Sequence, residues 1–509
     1  MKNGGFRTLY AGQAIARAQI PHLPFADFRR AVLTAVADGQ RVAVLFGDVP
    51  APDAKLDLYA LLTDSRRATM NVTKTTLESD SFASLTPDCP QVHLFEREIA
   101  EEFGVKPEGH PWLKPVRFVG PYRGPADAVG RHARSTPPIG KMDFFRVEGD
   151  EVHEVAVGPV HAGIIEPGHF RFQCHGEHVF HLEISLGYQH RGIERALVGG
   201  PTKRTVHMME TIAGDTSIGH ATAYCDALEG LARCQVPIRA DALRGVALEL
   251  ERLANHTGDL SALAGDVGFL PTASYCGRIR GDFLNLTAQL CGSRFGRGMV
   301  RPGGVGFDLD ENRMRHCLDR LDAAYRDVSN AVALLWDSAS VQARFDGTGT
   351  LQPEICSSLG LVGPAARACG LDCDVRQDFP SGIFRFAQIP VSTWQTGDVF
   401  ARAYVRWFEI QRSVSFVRTQ LQELPGGPVL TNSIAPATDL FVATLVEGWR
   451  GQICHVALTN SDGCFARYKI VDPSFHNWAG LALALRDQQI SDFPLCNKSF
   501  NLSYCGHDL

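Results

Sequence analysis

The chain has 509 residues, of which 45% are hydrophobic and 21% are charged, a balance typical of a folded protein and not of a disordered one. A net charge of −6 supplies no basic surface for nucleic acid, and no apolar run reaches the roughly 18–20 residues of a membrane-spanning helix. Any association with a membrane is therefore expected to go through partners. The length exceeds that of one ordinary hydrophobic core, so two domains are expected.

The N-terminal part has the pattern of a small α/β domain. Residues 31–37 are predicted to be helical, and the apolar runs 41–46 and 56–62 are predicted to be strands. Residues 95–105 form an acidic amphipathic pattern that predicts another helix. A Pro- and Gly-rich stretch at 120–138 then predicts a linker, which divides the chain into domains at 1–135 and 136–509.

The second part is predicted to be mainly helical. It begins with a β-hairpin, because strand-like runs at 170–175 and 178–184 flank a turn that contains Gly176. Apolar residues at helical spacing predict long helices at 246–263 and 400–424. The last forty residues are expected to be compact and loop-rich, with two strands. The predicted fold class is therefore α+β.

Cysteine and histidine spacing gives little sign of a metal site. The 14 cysteines include no Cys-x-x-Cys pair, so we expect buried thiols and no iron–sulfur or zinc site made by this chain alone. His175, His178 and His181 are three residues apart, and this spacing alternates between the two faces of a strand. These histidines are expected at surface and edge positions.

The acidic helix carries a first family resemblance. Phe95-Glu-Arg-Glu98, followed by 101–104 and by Gly-His-Pro at 109–111, is similar to the signature of the small peripheral-arm subunit of respiratory complex I. A solvated helix face is the alternative explanation for the charges alone. The resemblance implies that the first domain has the fold of that subunit.

Later motifs carry a second resemblance. Together they resemble the quinone-site subunit of complex I and the large subunit of group 4 membrane-bound [NiFe] hydrogenases, and they lie in consistent order at 158–170, 186–194, 249–256, 265–269, 297–305 and 397–403. The fusion of both subunit types in one chain resembles formate hydrogenlyase-type large subunits. The resemblance implies a hydrogenase large-subunit-like fold for residues 136–509.

The resemblance also identifies four positions where the hydrogenases hold nickel and iron through thiolates. Here these positions are Ala213, Thr216, Ser474 and Asn477, which we call the four degenerate positions. Nickel and iron favour soft sulfur donors, whereas these residues offer no donor or only neutral polar groups. The chain thus resembles the energy-converting hydrogenase-related type, for which no metal in the chain and no hydrogenase activity are expected.

Two alternatives remain for the polar residues near these positions. His220 and His476, together with Asp215 and Asp472, could bind a harder divalent ion. Otherwise they are polar residues that line a wet cavity.

The resemblance names three candidate catalytic residues, Glu166, His161 and Arg301. The context Ile-Glu-Pro-Gly-His around Glu166 resembles the hydrogenase loop whose glutamate passes protons. The alternative is a Glu166 that pairs with an arginine such as Arg301. His161 matches a Gly-Pro-x-His motif of complex I, but Gly214 stands where complex I has a quinone-binding tyrosine.

The implied function is that of a large subunit in a complex I- or formate hydrogenlyase-like assembly that couples electron transfer to ion translocation. The implied partners are a small subunit with a [4Fe–4S] cluster, a membrane-anchoring subunit and antiporter-like membrane subunits. Quinone is a candidate cofactor, and the implied location is peripheral, on the cytoplasmic face of the cytoplasmic membrane. The alternatives are a structural subunit that transmits conformational change and a quinone-reactive subunit.

Overall fold

A computed structural model of the chain describes residues 5–49, 54–120, 138–161, 165–431 and 435–509. Nearly all of the predicted linker lies outside these described residues, as does the domain boundary placed between residues 135 and 136. Within the described residues, no helix combines the length and the apolarity needed to cross a bilayer.

The strands, in chain order, are β1 (Arg7–Leu9), β2 (Ile15–Ala16), β3 (Arg41–Asp48), β4 (Asp57–Asp64), β5 (Thr69–Thr76), β6 (Ser81–Ala83), β7 (Lys106–Glu108), β8 (Val152–Val157), β9 (His169–His175), β10 (His178–Ser185), β11 (Val300–Arg301), β12 (Gly304–Val305), β13 (Leu440–Gly448), β14 (Gly451–Thr459) and β15 (Phe465–Val471).

The α-helices are α1 (Phe25–Ala37), α2 (His93–Phe103), α3 (Ile193–Leu197), α4 (Thr205–Met209), α5 (Ser217–Ala232), α6 (Ile238–Asp266), α7 (Leu270–Cys291), α8 (Glu311–Trp336), α9 (Ala339–Phe345), α10 (Pro353–Leu359), α11 (Gly363–Arg367), α12 (Val375–Asp378), α13 (Val399–Gln422), α14 (Pro473–Ala484), α15 (Phe493–Phe500) and α16 (Tyr504–Asp508).

Two four-stranded sheets organise the described part of the chain. The N-terminal sheet has the order β1-β5-β4-β3, is antiparallel and packs against α1. The second sheet has the order β15-β14-β13-β2, so a strand from the N-terminal segment joins strands from near the C-terminus. Helix α5 lies on this second sheet, and α6 packs against α7 and α13. This packing places the start of α5 and the start of α14 beside the same sheet.

Most of the elements predicted from the sequence are confirmed. The helix at 31–37 is the end of α1, the two early strands are β3 and β4, and the hairpin is β9–β10. The long helices are α6 and α13. Helix α2 ends at Gly104, whose positive φ of 68° is a conformation that glycine adopts without strain. The fold is therefore the predicted α+β class.

The prediction for the last forty residues is wrong. This segment is helical, with α14, α15 and α16, and the strands β13 to β15 precede it. Asp472 caps α14 by accepting the N–H of Ser474 at 2.8 Å, and Pro473 takes the first helical position. The apolar run after Trp478 is buried on several faces, and such a run cannot be assigned to strand or helix by periodicity.

The solvated-face interpretation of α2 is also wrong, because its acidic side chains are buried. Glu96 accepts hydrogen bonds from the hydroxyls of Ser84 and Thr86 at 2.5 and 2.6 Å. Glu98 pairs with Arg117 and, at 2.6 Å, with Lys469 of β15. The helix packs between two layers, and each of these carboxylates is satisfied inside the protein.

Candidate functional site

The four degenerate positions lie in two turns that begin helices. Ala213 and Thr216 belong to the turn that leads into α5, and Ser474 and Asn477 lie in the first turn of α14. All four residues are buried, with at most 1% of their surface exposed. Both turns face the second sheet, so the two halves of the site are built by segments more than 250 residues apart in the sequence.

The first half is held by the tight turn between β13 and β14. The indole Nε1 of Trp449 donates to the Thr216 hydroxyl at 3.1 Å, and a guanidinium nitrogen of Arg450 lies 3.3 Å from the same oxygen. Arg450 also makes two hydrogen bonds to the carboxylate of Asp215, at 2.6 and 2.8 Å. The chain therefore places its own cation beside the first two degenerate positions.

The charges of this pair support each other. Burial alone would raise the pKa of Asp215, but the guanidinium of Arg450 outweighs burial and lowers that pKa. Burial would in turn lower the pKa of Arg450, but Asp215 raises it instead. Both groups are thus charged at neutral pH. A second cation close to Thr216 would be repelled by the guanidinium.

The second half is closed by hydrogen bonds within the chain. The hydroxyl of Ser474 accepts the backbone N–H of Ser503 at 2.8 Å. The side-chain amide of Asn477 accepts from the N–H of Val362 and donates to its C=O, both at 3.0 Å. Since neutral oxygen and nitrogen groups already used in this way replace the thiolates, the residues present do not fit a nickel–iron centre.

A buried chain of hydrogen bonds runs beside this site. The carboxylate of Asp472 lies 3.0 Å from Nε2 of His220, whose Nδ1 lies 3.1 Å from Nε2 of His455. Nδ1 of His455 lies 2.9 Å from the hydroxyl of Tyr468. None of these four residues has more than 1% of its surface exposed. We call this set the Asp472–Tyr468 relay.

The protonation of the relay follows from its surroundings. Burial, with the neighbouring ring of His220, lowers the pKa of His455 far below its usual value, so His455 is neutral. Burial raises the pKa of Tyr468, whereas the hydrogen bond from His220 lowers that of Asp472 despite burial. Nε2 of His220 donates to Asp472, and the direction of the other two hydrogen bonds depends on which ring nitrogens of His220 and His455 carry hydrogen. Reversing these bonds would move a proton along the relay.

The candidate residue Glu166 lies near the second half of the site. It is half-buried, and its carboxylate accepts the backbone N–H of Tyr504 at 3.2 Å and contacts the Cys505 thiol. Residue Ser503, next to Tyr504, is the one that binds Ser474. Glu166 and the degenerate position Ser474 are thus connected through the neighbouring residues Ser503 and Tyr504, each of which binds one of them.

His161 and Arg301 are placed differently. The His161 ring lies in the same loop, with Nε2 2.8 Å from the carbonyl of Gly168 and its edge against Phe170. Arg301 lies in β11, and its carbonyl accepts from Arg244 at 2.7 Å. The alternative ion pair between Glu166 and Arg301 is not formed, since Glu166 has the partners given above. His161 and Glu166 both lie in the connection between β8 and β9, whereas Arg301 lies in β11.

The four residues considered as ligands of a harder divalent ion do not converge on one point. Asp215 binds Arg450, and Asp472 binds His220, whereas the His476 ring lies 5.7 Å from Phe95 on the side of α2. Across the described ranges there is no group of three or more His, Cys, Asp or Glu side chains arranged to hold a metal ion.

The three hairpin histidines also separate. His175 and His178 are exposed, as expected for surface positions. For His181 the prediction is wrong: it is buried, with its ring 5.3 Å from Trp112 and 4.6 Å from Phe145. A bulge between Val179 and His181 shifts the pairing with β9, which a strict two-residue period cannot anticipate.

Sequence reasoning missed Arg450, Trp449, His455 and Tyr468. The only signal in the sequence for His455 is one polar residue within the otherwise apolar run 453–458. Arg450 lies in the two-residue turn of a hairpin, where a charged residue is ordinarily solvated. Its partner Asp215 is 235 residues away, so no local pattern marks the pair.

Comparison with known proteins gives matches to both parts of the chain. Residues 26–127 match the family model of the respiratory-chain NADH dehydrogenase 30 Kd subunit, and residues 266–440 match that of the 49 Kd subunit. The carbon monoxide-induced hydrogenase of Rhodospirillum rubrum is 30% identical over 69% of this chain and 97% of its own length. Formate hydrogenlyase subunit 5 of Escherichia coli is 29% identical over 83% of this chain and 76% of its own length.

A solved structure gives the same fold. A chain of the membrane-bound sulfane sulfur reductase, described as an archaeal respiratory membrane complex, superposes with a TM-score of 0.66 at 21% identity, covering 70% of this chain and 99% of that chain. Together with the matches to both subunit families, the similarity to the Rhodospirillum protein settles the family. The chain belongs to the complex I-related hydrogenase family, as a fused 30-kDa-like and 49-kDa-like subunit.

Proposed function

We propose that this chain is the large subunit of a membrane-associated, complex I- or formate hydrogenlyase-like assembly that couples electron transfer to ion translocation without a nickel–iron centre of its own. The observation that carries the proposal is the state of the four degenerate positions. Each polar one is engaged by another group of the chain, and Arg450 places a cation beside Thr216. Hydrogenase activity is not expected from such a site.

The relatives support the proposed assembly. One relative is named formate hydrogenlyase subunit 5, others are named NADH-quinone oxidoreductase subunits, and the matched structure is titled a respiratory membrane complex. By analogy, the partners are an iron–sulfur small subunit with a [4Fe–4S] cluster, a membrane-anchoring subunit and antiporter-like membrane subunits. The proposed location is peripheral, on the cytoplasmic face of the cytoplasmic membrane.

Within that assembly, the chain's own residues would handle protons. The Asp472–Tyr468 relay offers a continuous path of hydrogen bonds whose direction can reverse. Glu166 is half-buried and accepts the N–H of Tyr504, the first residue of α16, and a carboxylate in such a position can accept and release a proton. We assign His161 and the carbonyl of Gly168 the role of holding the loop that carries Glu166.

A second candidate is a non-catalytic subunit that transmits conformational change to ion channels. Thr216, Ser474 and Asn477 already bond to other groups of the chain, which favours this candidate over one that binds a redox ligand between the two turns. The Asn477 amide bonds to Val362, and the Arg450 guanidinium bonds to Asn501. These bonds link both turns to neighbouring segments, so a displacement of one segment would displace the others. A quinone-reactive subunit is the remaining alternative.

The test is metal analysis of the whole complex, purified through a tag that uses no nickel resin. Iron without nickel is the expected result. Formate hydrogenlyase from Escherichia coli, purified in the same way, serves as a control for the handling of hydrogenase-type complexes. Nickel at one atom per complex would overturn the proposal.

Adding quinone or quinone-site inhibitors to the purified complex distinguishes the remaining candidates. Inhibited turnover would favour the quinone-reactive subunit over the proposed one. Electron transfer that persists when Glu166 is changed to Gln, with ion movement lost, would favour proton handling by this chain. No electron transfer at all would favour the conformational candidate.

A further inference from the structure

A polar cavity of about 320 Å³ lies between α6, α7 and α15, beside the turn that leads into α5. Its volume is at the lower end of the range of small-molecule sites in proteins. Two glycines and seven polar or charged residues line it, and four of these residues carry charge: Asp215, Asp259, Arg280 and Lys498. The kind of ligand that fits this cavity therefore depends on which of the four charges the chain already neutralises.

The two carboxylates of the cavity already have cationic partners. Arg450 binds the carboxylate of Asp215 through two hydrogen bonds, at 2.6 and 2.8 Å. The carboxylate of Asp259 accepts from Nε of Arg406 at 2.7 Å and from the side-chain amide of Asn501 at 2.5 Å. Neither of these two arginines lines the cavity. Each carboxylate and its arginine thus form a pair with no net charge.

The two cations of the cavity have no such partners. Within the ranges that the structure describes, no carboxylate oxygen lies within 4.0 Å of the charged nitrogens of Arg280 or Lys498. Lys498 makes one hydrogen bond, of 3.4 Å, to the side-chain oxygen of Asn501. Burial raises the pKa of Asp266, and the charge of Lys498 opposes that shift, but Asp266 does not line the cavity. The cavity therefore has two positive charges in excess.

Both cations reach the same stretch of α6. The side chain of Arg280 lies across Gly258, where an added Cβ would be 2.7 Å from Cδ and 3.0 Å from Nε of the arginine. Lys498 binds the side chain of Asn501, which in turn binds Asp259, the residue next to Gly258. The absence of a side chain at position 258 thus leaves room for Arg280 in the wall of the cavity.

This arrangement suits a small anion. A guanidinium binds an oxyanion through two parallel hydrogen bonds, and an ammonium adds a compact point charge. A metal ion or an organic cation would be repelled by both groups. Two unmatched cations on separate helices are neutralised by a doubly charged anion, whereas a monocarboxylate would neutralise only one of them.

We infer that this cavity binds a small, doubly charged tetrahedral oxyanion of the phosphate type, held between the guanidinium of Arg280 and the ammonium of Lys498. The inference is independent of the proposed function, because it requires neither the absence of nickel nor the Asp472–Tyr468 relay. It assigns an anion site to the side of Asp215 that faces α7 and α15.

The experiment measures binding of inorganic phosphate to the full-length chain by isothermal titration calorimetry. The buffer contains no other phosphate, has constant ionic strength, and is held above neutral pH so that phosphate is mainly doubly charged. Trimethyl phosphate, an uncharged ester with the same tetrahedral centre, is the second probe. We expect phosphate to bind and the ester not to bind. Arg280→Gln and Lys498→Gln should each weaken phosphate binding roughly tenfold or more, since each removes hydrogen bonds to a charged group.

A matched control is available on the same helix. Arg278 is two residues from Arg280, but it pairs with Asp282 at 2.9 Å and Asp327 at 2.5 Å and does not line the cavity. Arg278→Gln should leave the affinity for phosphate unchanged. Gly258→Ala keeps both cations but displaces the side chain of Arg280, so it should also weaken phosphate binding.

Four results would overturn the inference. They are no binding of phosphate at millimolar concentration, equal affinities for phosphate and its trimethyl ester, and an equal loss of affinity in the Arg280 and Arg278 variants. The fourth is phosphate that binds to this chain but not to the assembled complex, since an acidic group of a partner would then occupy the cavity.

Discussion

The guanidinium of Arg450 holds the carboxylate of Asp215 through two hydrogen bonds, between Ala213 and Thr216 in the sequence. The same guanidinium donates to the backbone carbonyl of Asn501 at 2.5 Å, and its central carbon Cζ lies 3.8 Å from the centroid of the Trp449 ring. The guanidinium of Arg450, and with it the positive charge, is therefore held in one position by other groups of the chain. Changing this pair, or the residues around it, has four measurable consequences.

The first concerns the pair itself. Arg450→Met should lower the free energy of unfolding by about 1–3 kcal/mol, because it leaves the Asp215 carboxylate without its partner; the one-third exposure of Asp215 moderates the usual cost of breaking a buried pair. Urea titration measures the change. The double variant with Asp215→Asn should recover most of the loss. A single variant as stable as the wild type would contradict the role given to the pair.

The second concerns metal binding. Ala213→Cys combined with Thr216→Cys should not create a nickel site, since Ser474 and Asn477 supply no thiolate and Arg450 repels a cation. The measurement is nickel content by mass spectrometry after incubation and desalting. The wild type, treated in parallel, sets the background. Stoichiometric nickel in the double variant would show that this account of the ligand positions is wrong.

The third concerns Glu166. In Glu166→Gln the side-chain carbonyl can still accept the N–H of Tyr504, but the group can no longer ionise. Ion translocation coupled to electron transfer should fall by roughly 10²-fold, the lower end for loss of acid–base function, while the complex still assembles. Ion uptake into vesicles and native gels measure the two. Glu154→Gln, in an exposed ion pair with Arg171, is the control; unchanged coupling in the Glu166 variant would remove Glu166 from the mechanism.

The fourth concerns acid stability. Burial, with the charge of Arg41, lowers the pKa of His476 to about 3, against about 6.5 in the unfolded chain. As the pH falls below 6.5, His476 becomes protonated in the unfolded chain but stays neutral in the folded protein. The free energy of unfolding therefore decreases on acidification. Between pH 7.5 and 5.0 the wild type should lose about 2 kcal/mol more than His476→Asn does.

Urea titration at the two pH values measures this difference. The matched control is His178→Asn, because His178 is exposed on β10. Its pH dependence should equal that of the wild type. Equal pH dependence in the His476 variant and the wild type would mean that His476 is protonated in the folded protein.

Local sequence signals predicted most helices and strands of this fold. They did not predict contacts between residues that are far apart in the sequence. Gly104 ends α2, and the Gly176 turn joins β9 to β10, because each effect acts within a few residues. The burial of Glu98 depends on Lys469, which is 371 residues away. No pattern within one helix distinguishes a carboxylate that faces water from one that faces such a partner.

The site was predictable only in part, for the same reason. Family resemblance predicted the four degenerate positions, and their residue types predicted that they do not hold nickel; both stay predictions. The sequence did not predict which groups bind these side chains, because the Asn477 amide pairs with Val362, which lies in a different segment. Arg450 likewise reaches Asp215 only once β13 and β14 have folded against α5.

The pairing of β2 with β13 bears on why the two parts are one polypeptide. Ile15 and Ala16 add a strand to a sheet whose other members lie beyond residue 439, and Lys469 reaches back to Glu98. Two separate chains would have to meet at cellular concentration to form such a contact, whereas a tether raises the effective concentration to the millimolar range. Covalent linkage also guarantees a one-to-one ratio of the two parts. A cut between them would leave fragments that remain associated, each completing the other's hydrogen-bonded edge.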